Sequence, residues 1–154
     1  MVERTTVVDR TTVISRPPDV VFAAVTSPDT APLIDPGVRE WRPDTEPIGV
    51  GTRFTIRGRL GVVPIRGTSE TVRWEPPLLA EFRSVVKSPA QLIAQHRFEP
   101  RADGGTNYTW SITFRERSII SRPLVALTAR LFARNLAAQA EALTTYLRAV
   151  PPPQ

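Results

Sequence analysis

The chain has 154 residues, 41% of them hydrophobic, which is enough for one domain whose core needs no metal or disulfide. It has no cysteine and one histidine, His96, which excludes disulfide frameworks, thiolate zinc sites, cysteine nucleophiles and multi-histidine metal sites. The 20 Lys and Arg residues exceed the 15 Asp and Glu residues, giving a net charge of +5. We predict a single domain over residues 1–154, with a core over 5–150, a proline-rich tail over 151–154 and no cofactor.

The positive charge is almost entirely arginine, since Lys87 is the only lysine. Guanidinium groups suit contacts with phosphates, but the arginines are spread from Arg4 to Arg148 among acidic residues, and no three are consecutive. Residues 1–10 carry charges where an export signal needs an apolar segment, and the longest apolar run, 20–25, is too short to cross a bilayer. We expect a cytoplasmic protein that does not bind DNA. Docking on a ribosome, RNA or membrane surface through the arginines is an alternative.

The first part of the chain predicts a strand, a short helix and a second strand. Residues 5–14 are rich in β-branched side chains and predict a strand. Ser15 offers a capping hydroxyl, Pro17 and Pro18 suit the first turn of a helix, and apolar residues follow at helical spacing until Pro28. Residues 28–37 contain three prolines and predict a loop or a single helical turn, and 38–42 predict a short strand.

From residue 51 the apolar period changes to two, which is typical of antiparallel strands with one buried face. Residues 54–60 predict the clearest of these strands. Residues 65–75 predict a longer strand whose faces are equally polar, so the side that lines any pocket stays unassigned. After the turn at Pro76 and Pro77, strands are predicted at 79–86, 92–98 and 107–114, and the last two carry on one face His96, Phe98, Tyr108, Trp110, Ile112 and Phe114.

Residues 121–149 predict one long helix, because they lack glycine and have Pro123 only at the start. Its apolar side chains form two adjacent stripes, one with Leu124, Leu127, Leu131, Ala138, Ala142 and Tyr146, the other with Val125, Phe132, Leu136, Leu143 and Leu147. Such a wide apolar face suits a helix that covers a sheet. The element order predicts an α+β domain with a cavity where the straight helix lies against a bent sheet.

Four short motifs give the chain a resemblance to a known superfamily. They are Pro17-Pro18-Asp19-Val20-Val21-Phe22, Gly49-Val50-Gly51-Thr52-Arg53-Phe54, Trp74-Glu75-Pro76-Pro77, and Phe98-Glu99-Pro100 followed by Gly104-Gly105-Thr106. In this order they resemble the START-like (Bet v 1-like, SRPBCC) superfamily, particularly its bacterial polyketide cyclase/dehydrase and lipid transport branch, from Thr5 to Val150. The resemblance implies a helix-grip fold, a curved seven-stranded antiparallel sheet wrapped around a long C-terminal helix with a mostly apolar pocket between.

The candidate pocket residues are inward-facing side chains of the strands and the last helix: Phe54, Ile56, Phe82, His96, Phe98, Tyr108, Trp110, Ile112, Leu131 and Asn135. Aromatic side chains in this pattern either line a pocket or simply pack the core. Asn135 is either a polar contact in the cavity or a wet residue at the edge of the stripe. His96 is the candidate for catalysis, because a neutral imidazole can move a proton near neutral pH. The alternative is a histidine held by a neighbouring hydroxyl group or exposed at the sheet edge.

We interpret the sequence as that of a protein that binds or carries an apolar or aromatic small molecule of lipid-like or polyketide-like character. It offers no set of metal ligands and no nucleophile with a base, so binding is favoured over catalysis. The main alternative is a polyketide aromatase/cyclase or dehydratase that uses His96 as acid and base. The second alternative is docking on a ribosome or membrane through surface arginines. Ligand identity, catalysis and oligomeric state, monomer or homodimer, stay open.

Overall fold

The computed structural model describes residues 3–85 and 90–151. In chain order they form β1 (Arg4–Ile14), α1 (Pro18–Val25), α2 (Ala31–Ile34), β2 (Val38–Pro43), β3 (Arg53–Leu60), β4 (Val63–Glu75), β5 (Leu79–Ser84), β6 (Gln91–Pro100), β7 (Thr106–Glu116), a short 3-10 helix (Ile119–Ser121) and α3 (Arg122–Ala149). Residue 86, the predicted end of the fifth strand, and residues 152–154 of the predicted tail lie outside the described residues.

The strands form one seven-stranded antiparallel sheet in the order β1-β7-β6-β5-β4-β3-β2. β1 pairs along its length with β7, from Arg4 opposite Glu116 to Ile14 opposite Thr106. Every other pairing joins strands that follow one another in the chain, as tight turns favour. The predicted α+β architecture, a curved antiparallel sheet that grips a long C-terminal helix, is confirmed.

α1 begins without a side-chain cap. Its N-cap residue is Pro17, whose carbonyl oxygen accepts the first amide hydrogen bonds of the helix. The prediction that Ser15 caps this helix is therefore wrong. The helix is anchored through Phe22, whose ring packs edge-on against Trp74 and Phe98 with centroids 5.1 Å away in each case.

The set of alternate residues of β4 that faces the core changes part-way along the strand. Its pairing with β5 shifts register between Thr71 and Arg73, as a β-bulge does. Ser69 and Thr71, before the shift, are buried. Trp74, after the shift, also packs against the core, although in an unbroken strand it would face the other side of the sheet from Thr71. This switch, together with the small or polar inward residues Gly67, Ser69 and Thr71, explains why neither face of residues 65–75 is cleanly apolar in the sequence.

Two glycines allow the segment after α2 to approach β3 and α3 closely. A Cβ atom on Gly58 would collide with the carbonyl oxygen of Gly37, the same oxygen that accepts the Arg59 amide hydrogen bond at 2.8 Å. A Cβ atom on Gly37 would lie 2.7 Å from Oδ1 of Asn135 on α3. The absence of both side chains therefore brings the end of α2, the sheet and α3 together at one place.

α3 buries a narrower stripe than the sequence predicts. Its buried residues are Val125, Ala129, Leu136, Gln139, Ala140, Leu143 and Leu147. Leu124 and Leu127, which belong to the other predicted stripe, are 52% and 54% exposed, so the N-terminal part of that stripe does not cover the sheet. Of the helices within residues 3–85 and 90–151, none is long and apolar enough to cross a membrane.

Candidate ligand-binding cavity

A cavity of about 510 Å³ lies between the sheet and α3. This volume is in the range of typical small-molecule sites, about 300–1,000 Å³. Most of its wall is apolar or aromatic. The lining side chains include Ile34 and Asp35 at the end of α2, Trp41, Ile56, Ile65, Ser69, Phe82, Leu92, Ala94, His96, Trp110 and Ile112 on the sheet, and Thr128, Phe132, Asn135 and Gln139 on α3.

The structure brings six of the ten predicted pocket residues to the cavity wall: Ile56, Phe82, His96, Trp110, Ile112 and Asn135. Phe54, Phe98 and Tyr108 are instead fully buried in the core. Phe54 supports the wall from behind, because its ring stacks on Trp41 with centroids 4.0 Å apart. Leu131 is half-buried on α3 beside the β3–β4 turn. The part that these residues play in binding a ligand stays a prediction.

His96 lies on β6, is half-buried, and lines the cavity. Its Nδ1 atom lies 2.7 Å from the Tyr108 hydroxyl oxygen, so a hydroxyl group holds the ring. Burial lowers the pKa of His96 from 6.5 to about 3, because the charged imidazolium is poorly solvated there. A general acid or base works best when its pKa lies near the working pH. This geometry therefore favours a neutral hydrogen-bonding group over a proton carrier.

The Tyr108 hydroxyl connects His96 to α3. Gln139 on α3 donates a hydrogen bond from Nε2 to this hydroxyl oxygen over 3.4 Å. Burial, with a smaller contribution from the negative charge of Asp35, raises the pKa of Tyr108 well above its usual value of 10. The phenol group therefore keeps its proton at neutral pH, and links the two side chains as a neutral hydroxyl.

Asp35 is a cavity carboxyl group to which the sequence patterns do not point. Its Oδ1 atom accepts hydrogen bonds from the Gly37 amide and from Nδ2 of Asn135, each at 2.9 Å. Burial raises the pKa of Asp35, and these two hydrogen bonds offset part of the increase. The local Asp35-Pro36-Gly37 sequence indicates a turn. A turn alone does not show that the carboxyl group meets an asparagine 100 positions later.

Two polar atoms that belong to cavity-lining residues are buried without a partner among the described residues: Ser69 Oγ and Trp110 Nε1. Leaving such a group unpaired costs about 1–3 kcal/mol. Trp110 lies next to His96, with ring centroids 5.2 Å apart. The unpaired indole N–H group thus belongs to the same part of the wall as the imidazole.

Some of the surface arginines are paired with acidic side chains. Seven of them, on several strands and turns, lie within 4.0 Å of a carboxylate: Arg4, Arg42, Arg57, Arg73, Arg101, Arg115 and Arg117. Exposed pairs of this kind contribute little to stability, but they neutralise charge locally. Within residues 3–85 and 90–151, no group of three histidine, aspartate or glutamate side chains could hold a metal ion.

Comparison with protein-family models gives a match over nearly the whole chain. A family model described as polyketide cyclase / dehydrase and lipid transport matches residues 5–148. No curated protein matches the sequence.

Several solved structures share the fold. TTHA0849 from Thermus thermophilus is 18% identical, with a TM-score of 0.76 over 94% of this chain and 98% of that chain. Norcoclaurine synthase from Thalictrum flavum is 14% identical, with a TM-score of 0.73 over 96% of this chain and 89% of that chain. The di-domain ARO/CYC BexL from the BE-7585A biosynthetic pathway is 18% identical, with a TM-score of 0.75 over 96% of this chain and 48% of that chain. At such identities the likeness concerns the fold alone.

Proposed function

Because the chain belongs to the polyketide cyclase/dehydrase and lipid transport family, within the START-like (Bet v 1-like) superfamily, we propose that it binds and carries an apolar or aromatic small molecule between the sheet and α3. The observation that carries this proposal is a cavity of about 510 Å³ with mostly apolar walls. Apolar burial contributes about 25 cal/mol per Å², so a ligand that buries about 250 Å² gains roughly 6 kcal/mol before the entropic cost of binding.

The ionisation of His96 supports binding in preference to acid–base catalysis by this residue. Its pKa of about 3 leaves almost no imidazolium at neutral pH, so it is a poor proton donor there. A cyclase or dehydratase activity is the second candidate, and Asp35 gives it specific support. This carboxyl group lines the same cavity, and burial raises its pKa toward the range in which a carboxyl group can exchange protons.

Docking through surface arginines has weaker support. The seven arginines paired with carboxylates have part of their charge neutralised locally. Binding in an apolar cavity and binding to a charged surface also differ in salt dependence. Apolar burial changes little between low and physiological ionic strength, whereas attraction between exposed charges weakens as the Debye length falls to about 8 Å.

The test is a titration with 2-ethylnaphthalene and 2-acetylnaphthalene, followed by tryptophan fluorescence and thermal melting at low and physiological salt. Trp41 and Trp110 line the cavity and should report occupancy directly. We expect saturable binding that is nearly independent of salt and a melting temperature that rises by several degrees at excess probe. Failure of both probes to bind, together with strongly salt-dependent binding to RNA or anionic vesicles, would favour the surface alternative.

A further inference from the structure

We propose that the cavity selects a ligand with both a carbonyl group and a hydroxyl group, the carbonyl oxygen bound by His96 on the sheet and the hydroxyl bound by Asp35 beside α3. This proposal rests on the proposed function, that the cavity binds an apolar or aromatic molecule. It assigns opposite hydrogen-bonding roles to the two sides of the cavity, and each role follows from the hydrogen bonds that the residue makes to its neighbours in the protein.

The hydrogen bonds behind His96 favour the tautomer that carries its proton on Nε2. The Gln139 amide nitrogen can only donate, so the Tyr108 oxygen accepts that hydrogen bond at 3.4 Å. We assign the Tyr108 proton to Nδ1 of His96, 2.7 Å away, because Nδ1 is the other hydrogen-bond partner of this hydroxyl among the described residues. A neutral imidazole whose Nδ1 accepts a hydrogen bond carries its proton on Nε2. Nε2 has no partner among the described residues, so His96 presents an N–H donor to the cavity.

Trp110 carries a second N–H group next to His96. Its indole N–H group can only donate, and it is buried without a partner among the described residues. The ring lies beside His96 with centroids 5.2 Å apart. A wall that presents the N–H group of His96 suits a ligand group that only accepts hydrogen bonds, and a carbonyl oxygen, with two lone pairs, is such a group.

Asp35 gives the helix side of the cavity a different character. The Gly37 amide and Asn135 both donate to Oδ1, which fixes the orientation of the carboxyl group. Oδ2 has no partner among the described residues, and Asp35 lines the cavity. A hydroxyl group both donates and accepts, so it can pair with Oδ2 whether the carboxyl group is ionised or neutral. An ammonium group can only donate, so it pairs well with the ionised form and only weakly with the neutral one.

The first test compares four probes on one aromatic frame. They are 2-ethylnaphthalene, 2-acetylnaphthalene, and two hydroxyl-bearing ketones with different separations of the polar groups, 6-acetyl-2-naphthol and 4-acetyl-1-naphthol. We expect the carbonyl to tighten binding by roughly tenfold, and the hydroxyl of at least one isomer to tighten it by roughly tenfold more, as for a satisfied buried hydrogen bond.

The outcomes separate this inference from the proposed function. If none of the four probes binds, the proposed function fails. If 2-ethylnaphthalene binds but the carbonyl and hydroxyl groups leave affinity unchanged or weaken it, the inference is overturned while the apolar cavity stands. Weakening is the expected result for polar groups that are buried without partners.

Matched variants assign each effect to one residue. Asp35→Ala removes the carboxyl group and with it every hydrogen bond to the ligand hydroxyl, so the gain from the hydroxyl should shrink while the gain from the carbonyl stays. In His96→Phe, the gain from the carbonyl should shrink while the gain from the hydroxyl stays. Thr128→Val is the control, because Thr128 lines the cavity but its hydroxyl already donates to the Leu124 carbonyl oxygen at 2.8 Å. Gains that persist in both variants would contradict the assignment.

A measurement on the unaltered protein avoids any effect of the variants on folding. The sequence has a single histidine, so a nitrogen-15 histidine spectrum contains the ring signals of His96 alone. We expect a protonated Nε2 and an unprotonated Nδ1 at pH 7. A proton on Nδ1 would mean that Nε2 can only accept, and the assignment of the carbonyl to His96 would be wrong.

Discussion

Gly67 offers a way to fill the cavity without disturbing the backbone. It lies on β4 in the cavity wall, and a Cβ atom added there would meet no atom within 4 Å. A leucine at this position therefore extends into open space that a ligand would otherwise occupy. The Gly67→Leu variant should lose affinity for 2-acetylnaphthalene and, unlike most core changes, should not lose stability.

The expected magnitude follows from two contributions. Burying a leucine side chain contributes about 1.5–3 kcal/mol when burial is complete. Replacing glycine inside a strand removes a conformational cost of about 0.5–1 kcal/mol. With partial burial, the free energy of unfolding should rise by about 1–3 kcal/mol. In a solidly packed core the same substitution would lower the free energy of unfolding by about 1–3 kcal/mol. A cavity and a solid core therefore predict changes of opposite sign.

Denaturant unfolding and probe titration of the same samples measure both effects. Gly49→Leu is the matched control, because Gly49 also has open space around its added Cβ atom but does not line the cavity. This control should bind 2-acetylnaphthalene as the unaltered chain does. A destabilised Gly67→Leu variant that still binds the probe with unchanged affinity would refute the cavity.

Three further predictions concern acid stability, a wall residue and the last helix. Lowering the pH from 6.5 to 3 should cost up to roughly 5 kcal/mol of unfolding free energy through His96, because its folded pKa of about 3 lies below the unfolded value and the unfolded chain takes up the proton first. Asp35, whose folded pKa is raised, contributes a change of the opposite sign. The free energy of unfolding of His96→Gln should therefore fall less steeply with decreasing pH than that of the unaltered chain. Trp110→Ala should weaken probe binding and cost about 3–5 kcal/mol in denaturant unfolding, whereas Trp110→Phe should change probe preference at a smaller cost. Deleting residues 121–154 should expose the sheet and give an aggregating chain, and a soluble truncation that melts cooperatively would contradict the packing of α3.

The fold is predictable because its signals are local. The two-residue alternation of β3 and β7 and the glycine-free run of α3 each specify one element from its own residues. β4 shows the limit of this reasoning. Its bulge between Thr71 and Arg73 switches the inward face, and a bulge depends on pairing with a neighbouring strand. The exposure of Leu124 and Leu127 shows the same limit, since it depends on where α3 leaves the sheet.

The site is less predictable because its polar groups depend on long-range contacts. Aromatic alternation places His96 and Trp110 on the inward face but does not show that the Tyr108 hydroxyl lies behind the imidazole. Asp35 lies in a proline-rich turn, and only the packing of that turn against α3 makes it a half-buried carboxyl group held by Asn135. Patterns of residue type therefore predict the apolar wall but not its hydrogen-bonding groups.

The central claim, that the space between the sheet and α3 holds an apolar small molecule, is tested most directly by locating a bound probe. Crystals soaked with 2-bromonaphthalene allow the bromine atom to be placed by anomalous diffraction. We predict one strong peak inside the cavity, against Ile112 on β7 and Phe132 on α3. Bromine found only on exposed apolar side chains such as Ile120 or Leu124, at a concentration that saturates binding in solution, would contradict the account.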